Sequence, residues 1–203
     1  MRRGQVRPLL HRRGLRVHGR PRVHLRADQE TRRGHLMPDL REQLRSILRG
    51  RVCLVGLGNV EQGDDGLGVR LAEALAHQAS RLMALAPEVI LAGTAPERWI
   101  GKLTNGAFDN VVFLDAVGCG AAPGSVVLLS ADEMTARFPQ VSTHKLALGL
   151  LARLIEANGR TKVWLLGVQP ECLQPGSGLS PSVMAAIESL TALLAPQSEE
   201  ALA

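Results

Sequence analysis

With 203 residues and 45% hydrophobic content, the chain can bury one sizeable core, and its length argues against a second full domain. Residues 1–50 carry 14 Arg against 4 acidic residues, a net +10, which leaves 10 basic and 15 acidic residues, a net −5, from residue 51 onward, so the overall +5 does not make the folded part a polyanion binder. Three widely spaced cysteines, Cys53, Cys119 and Cys172, form no Cys-x-x-Cys pair, which excludes a zinc knuckle or dithiol redox motif and fits a reducing cytosol.

Residues 1–36 read as a disordered basic arm, with Arg2, Arg3, Arg12, Arg13, Arg16 and further arginines, four of the six His, and no helical or strand periodicity. Such an arm is either a tail for nucleic acid or acidic surfaces, or a stretch upstream of a true start at Met37, and the second is the expectation. It is poor in Ser for a transit peptide, and no apolar core follows the early arginines as a secretory signal requires. Residues 37–50 form a short helical lead-in, 51–196 a single domain and 197–203 a flexible tail. Apolar stretches are broken by Asp115, Lys145 or Arg153 well short of the roughly 18 residues of a membrane span. A soluble, cytoplasmic, monomeric protein without membrane or nucleic-acid partners is expected.

From residue 51, short β-rich runs alternate with helical ones. Arg51–Leu57 is a buried strand; Val69, Leu71, Ala72, Leu75 and Ala76 give one face of a helix beginning near Gly68, with His77 solvated on it; Val89–Leu91 is a second strand. Pro96 opens a short helix to Leu103, and Val111–Leu114 is a third strand closed by Asp115. After the Pro123-Gly124 turn comes a fourth strand, Ser125–Leu129. A helix then runs from about His144 to Ala157, with Ser142 or Thr143 as cap and Asn158-Gly159 as stop. Val163–Val168 is a fifth strand, and a Pro- and Gly-rich loop leads to a last helix capped by Ser180 and opened by Pro181. This alternation predicts an α/β fold: three layers, α/β/α, with a mostly parallel, twisted five-stranded sheet between helices on both faces. Cys53 and Cys119, in or beside apolar runs, are read as packing residues.

In such a sheet functional groups gather at the carboxyl ends of the strands. The turn after strand one, Gly58-Asn59-Val60-Glu61-Gln62-Gly63-Asp64-Asp65-Gly66-Leu67-Gly68, has the glycines of a phosphate cradle but presents two carboxylates where the anion would sit, which points to a cation. Asp64 and Asp65 cannot both point the same way; one reaches the rim while the other caps the following helix, and spacing does not choose between them. Asp115 emerges from a buried strand, where an unpartnered carboxylate would cost several kcal/mol, so it needs a donor, a counter-charge or a metal. His144 opens a helix at a loop edge. One imidazole and two carboxylates suit a borderline divalent metal such as nickel or zinc, with positions left for water or substrate.

Other chemistries fit less well. The dinucleotide fingerprint fails because Glu61 stands where its third glycine belongs. Gly176-Ser177-Gly178 lacks the spacing of a hydrolase nucleophile elbow, and Gly118-Cys119-Gly120 offers no cation to lower a thiol pKa.

Val55-Gly56-Leu57-Gly58-Asn59, Gly63-Asp64-Asp65-Gly66-Leu67-Gly68-Val69-Arg70, Gly93-Thr94, Phe113-Leu114-Asp115-Ala116, Ser142-Thr143-His144-Lys145-Leu146 and Gly167-Val168-Gln169-Pro170-Glu171 together resemble the hydrogenase maturation endopeptidases, which process the large subunit of nickel-iron hydrogenases. The similarity runs in order over roughly residues 52–190 and leaves out the arm. It implies the same five-stranded fold, and it places the nickel-contacting and catalytic positions at Asp65, Asp115 and His144, with Asp64, Gly93 and Thr94 as candidate substrate contacts. It further implies that nickel arrives in the precursor, with no permanently bound cofactor, and that the partner is the large-subunit precursor, whose C-terminal extension is removed. Lys145, a departure beside the site, points about 100° away on a helix. Gln169-Pro170-Glu171 resembles the branch serving soluble hydrogenases. Two alternatives stay open: a peptidyl-tRNA hydrolase-like esterase, which shares the Gly-Leu-Gly-Asn turn but leaves Asp64-Asp65 unexplained, and a non-catalytic nickel-binding maturation factor.

Overall fold

The computed structural model describes residues 40–79, 86–137 and 148–194. In chain order these form α1 (Leu40–Ile47), β1 (Val52–Leu57), a 3-10 turn (Gly63–Gly66) running directly into α2 (Leu67–Ala79), β2 (Glu88–Gly93), and a second 3-10 turn (Pro96–Trp99) running into α3 (Ile100–Asn105). They continue with β3 (Asn110–Ala116), β4 (Val126–Ser130), α4 (Ala131–Arg137), α5 (Leu148–Glu156), β5 (Lys162–Val168) and α6 (Pro181–Leu194).

The strands make one five-stranded sheet in the order β2-β1-β3-β5-β4. β1 pairs in parallel with β2 and β3, and β3 in parallel with β5, while β4 is antiparallel to β5. Alternation along β1 divides the core into two layers. Val52 and Leu54 face α1, α2 and α6 together with Val112, Leu114 and Leu166. Cys53, Val55 and Leu57 face α3, α4 and α5 with Val111, Phe113 and Leu165. The expected three-layer, mostly parallel fold is therefore the observed one, and near-continuous burial of β1 and β3 follows from helices on both sides.

Several local expectations change. The helix foreseen over 96–103 is a 3-10 turn followed by an α-helix that ends at Asn105. β2 is longer than Val89–Leu91, because its ladder with β1 runs from Glu88, opposite Cys53, to Gly93, opposite Leu57, and the Gly93 carbonyl also accepts from the Gly58 amide. α4 is unforeseen. Its start is a reciprocal capping box in which the Ser130 amide donates to Glu133 Oε2 at 2.9 Å and the Glu133 amide to Ser130 Oγ at 3.3 Å. Ser180, expected to cap α6, gives its hydroxyl to the Asp64 carboxylate at 2.9 Å.

Candidate active site

The sheet order reverses at β1: the chain passes from β1 out to β2 and returns on the other side as β3. The crevice outside the carboxyl ends of β1 and β3 is the topological switch point, where open α/β sheets bind ligands. Two glycines press α2 into this crevice. A Cβ on Gly56 would lie 2.6 Å from Ala72 Cβ and from the Gly68 carbonyl, and one on Gly68 would collide with the Leu114 carbonyl. Only hydrogen at these positions lets the start of α2, and the Gly63–Gly66 turn before it, sit on the ends of β1 and β3.

That turn separates its two acids. Asp64 is fully buried, and its Oδ2 accepts from the amides of Glu171 and Cys172 at 2.8 Å each and from the Ser180 hydroxyl, while its Oδ1 accepts from the Ser180 amide at 2.6 Å. Burial alone would raise its pKa, but the amides of Ser180, Cys172 and Glu171 and the Ser180 hydroxyl outweigh it and hold the carboxyl below its ordinary value. Asp64 thus ties the turn to the 171–180 loop. With both oxygens taken inside the protein it is a structural anchor, which replaces the expectation of a substrate contact. Neither acid caps α2 in the simple way foreseen.

Asp65 is half-buried and turns the other way, its Oδ2 accepting from the Asn59 amide at 2.7 Å just beyond β1. Asp115 is half-buried near the end of β3, in register with Gly167 of β5, and its Oδ1 accepts from the Ala116 amide at 2.9 Å. The 3-10 turn carrying Asp65 packs against β3, which brings both acids to the same rim. Gly93 closes β2 beside Gly58, whose amide donates to the Gly93 carbonyl at 3.0 Å, and Thr94 follows exposed. His144 lies outside the described residues, as do Ser142, Thr143 and Lys145. Among the described residues no group of three or more His, Cys, Asp or Glu side chains is disposed to hold a metal ion. Of the three expected positions, Asp65 and Asp115 stand at the carboxyl ends of β1 and β3, and His144 is the one outside the described residues.

Asn59, Ser180 and Gln169, read from the sequence only as motif or helix-capping residues, support the site. Gln169 Oε1 accepts from the Cys119 and Gly120 amides at 2.8 and 2.9 Å, fixing the loop that leaves β3 just after Asp115. Their sequence signal is a polar residue beside a Gly or Pro, at a strand end for Asn59 and Gln169 and at a helix start for Ser180. Cys53 is buried, and burial first, then Glu88, pushes its thiol up to about 12 despite Lys102, so it is a packing residue. Cys119, also expected to pack, is half-buried, and His77 is exposed as expected. A groove of about 350 Å³ between α1 and the β4–β5 edge, lined by Glu42, Gln43, Ser46, Ile47, Leu128 and Trp164, contains none of the expected site residues.

A sequence model of the HycI family, described as hydrogenase maturation protease, matches residues 69–197, a span that opens within α2 and takes in Asp115 and His144. The hydrogenase 2 maturation protease of Escherichia coli K12 is 34% identical over 142 residues, covering 68% of this chain and 84% of that protein. Among solved structures, the [NiFe] hydrogenase maturation protease HycI of Thermococcus kodakarensis superposes with a TM-score of 0.67 at 28% identity, over 75% of this chain and 96% of that one. The hydrogenase maturating endopeptidase HybD of E. coli gives 0.59 at 31% identity, over 70% and 88%.

Proposed function

This chain belongs to the hydrogenase maturation protease family, and from that premise we propose that it removes the C-terminal extension of a nickel-iron hydrogenase large-subunit precursor after nickel has been inserted. The nickel is part of the substrate. Asp65, Asp115 and His144 complete its coordination, so that the metal's geometry fixes the scissile peptide at the rim of β1 and β3. The observation that supports this reading is that two half-buried acids, Asp65 after β1 and Asp115 near the end of β3, stand at the switch point on elements that pack together. A mixed set of carboxylate oxygens and an imidazole nitrogen suits a borderline divalent ion. Peptide hydrolysis also needs a proton taken from water and one delivered to the leaving amine, and rim carboxylates are suitable shuttles for both. Nickel held in the precursor can polarise the carbonyl or activate the water. Gly93 and Thr94 border this rim and are proposed to contact the precursor.

Two other readings lose ground to family membership. An RNA-directed esterase leaves the two acids without work, and a stoichiometric metal-binding factor would not produce a shortened precursor. His144→Ala and Asp65→Asn test the assignment by the mobility shift of the nickel-loaded precursor. Each is expected to slow processing at least about 100-fold while the fold persists, a loss of the size seen when a ligand or proton-transfer group is removed. Cleavage at the wild-type rate by either variant sinks its assigned role.

A further inference from the structure

We propose that the outer edge of β2 is the track for the precursor's C-terminal tail, which joins the sheet there as an added, extended strand; this rests on the function proposed above. Among the described residues β2 ends the strand order and is hydrogen-bonded to a strand on one side only, by β1. Edge strands are ordinarily blunted by proline, by charges along their length or by being very short. β2 has six residues and no proline, and its single charge, Glu88, stands at the end away from the rim, paired with Lys102. Between the core residues Ile90 and Ala92, Leu91 is 48% exposed. The opposite edge, β4, carries no exposed large hydrophobic residue among the described residues.

The far end of β2 is what selects a substrate tail as the occupant. The β1–β2 register shifts between Gly56 and Leu57, so that Leu91 pairs with Gly56 but Gly93 with Leu57, and Gly93 takes φ +56°. Such bulges re-aim a strand end. Here the end turns to Gly58, whose neighbour Asn59 holds the Asp65 carboxylate. A polypeptide laid along β2 for its length, roughly 20 Å at the usual strand rise, therefore reaches the rim that carries Asp65, about 10 Å or two strand spacings from the line of β1. Strand addition binds through main-chain hydrogen bonds, whatever the sequence, and reads alternate side chains. Leu91 supplies one apolar subsite, so the fitting partner is an extended segment with an apolar side chain on that sheet face.

Amide hydrogen exchange on the full chain, free and with nickel-loaded precursor, tests this, using precursor lacking its extension as the control. The amides of residues 88–93 that face away from β1, alternate along the strand, are expected to exchange at least about tenfold more slowly only with the extended precursor. In steady-state processing, Leu91→Lys is expected to raise KM roughly tenfold with kcat little changed, Leu91→Met to restore it, and Leu150→Lys, at another exposed leucine, to leave both constants alone. Processing by the wild-type chain without new protection at 88–93 overturns the β2 track and leaves the proposed function standing. Protection of the amides facing away from β1 already present in the free chain, or an unchanged KM for Leu91→Lys, overturns it as well. Absence of processing by the wild type overturns both.

Discussion

Asp64 and Asp65 are adjacent in sequence and opposite in use. Asp64 spends both oxygens on four donors that join the β1–α2 turn to the 171–180 loop. An amide in its place offers N–H groups where the site already has donors, so Asp64→Asn is expected to cost about 2–3 kcal/mol of stability, read as a lower denaturation midpoint. The acid limb has a definite sign. The folded-state pKa lies below the unfolded one, so the Asp64 contribution is fully present above the unfolded value and is lost as pH falls through the folded value. The wild type should therefore lose stability below about pH 4 more steeply than Asp64→Asn, and parallel acid limbs would refute the anchor.

Cys53 allows a second check at this scale. With its thiol pushed up to about 12 in a buried strand, it should resist maleimide at neutral pH in the native chain, while half-buried Cys119 and Cys172 are modified first. Rapid labelling of Cys53 without unfolding would contradict the burial. Of these residues, spacing left open which of the two acids faces the rim, and only the family resemblance pointed to Asp65. The choice depends on Glu171, Cys172 and Ser180, more than a hundred positions downstream, and no local pattern carries that contact.

At the level of elements, the start of α2 decides the geometry of the rim. Gly68 touches the carbonyls of Leu114 and Leu57, so Gly68→Ala must push the helix off the strand ends. Overpacking of this kind costs about 1–3 kcal/mol, and because the Asp65 turn moves with the helix, processing should fall more than stability does. A variant with unaltered processing would show that the close approach does not set the site. β1, β3 and β5 were legible because strands buried on both faces are unbroken apolar runs. α4 was not read, although Ser130-Ala131-Asp132-Glu133 is a capping box, because its seven residues are too few for helical periodicity to show. The split of the 96–105 segment also escaped, since Pro96 suits the first turn of either helix type.

For the whole molecule, the order β2-β1-β3-β5-β4 gathers the β1–α2 turn, the end of β2 and the end of β3 at one crevice. Fold class was readable from the alternation of strands and helices. The crevice was foreseen only as a list of strand ends, because strand order depends on which runs pair, and apolar runs of similar composition do not encode that. The described core and the two rim acids fall between Leu40 and Leu194. A chain beginning at Met37 should therefore process precursor at the full-length rate. A large fall in kcat/KM for that shorter chain would assign the arm a part in recognition.

The proposed function makes hydrolysis at the β1–β3 rim depend on nickel already seated in the precursor. It is tested most directly by mass spectrometry of the precursor C-terminus after incubation with the wild-type chain, comparing nickel-loaded precursor with the same protein lacking nickel. Loss of the C-terminal extension at a single peptide bond is expected from the loaded precursor alone. Equal trimming of the nickel-free precursor would contradict it.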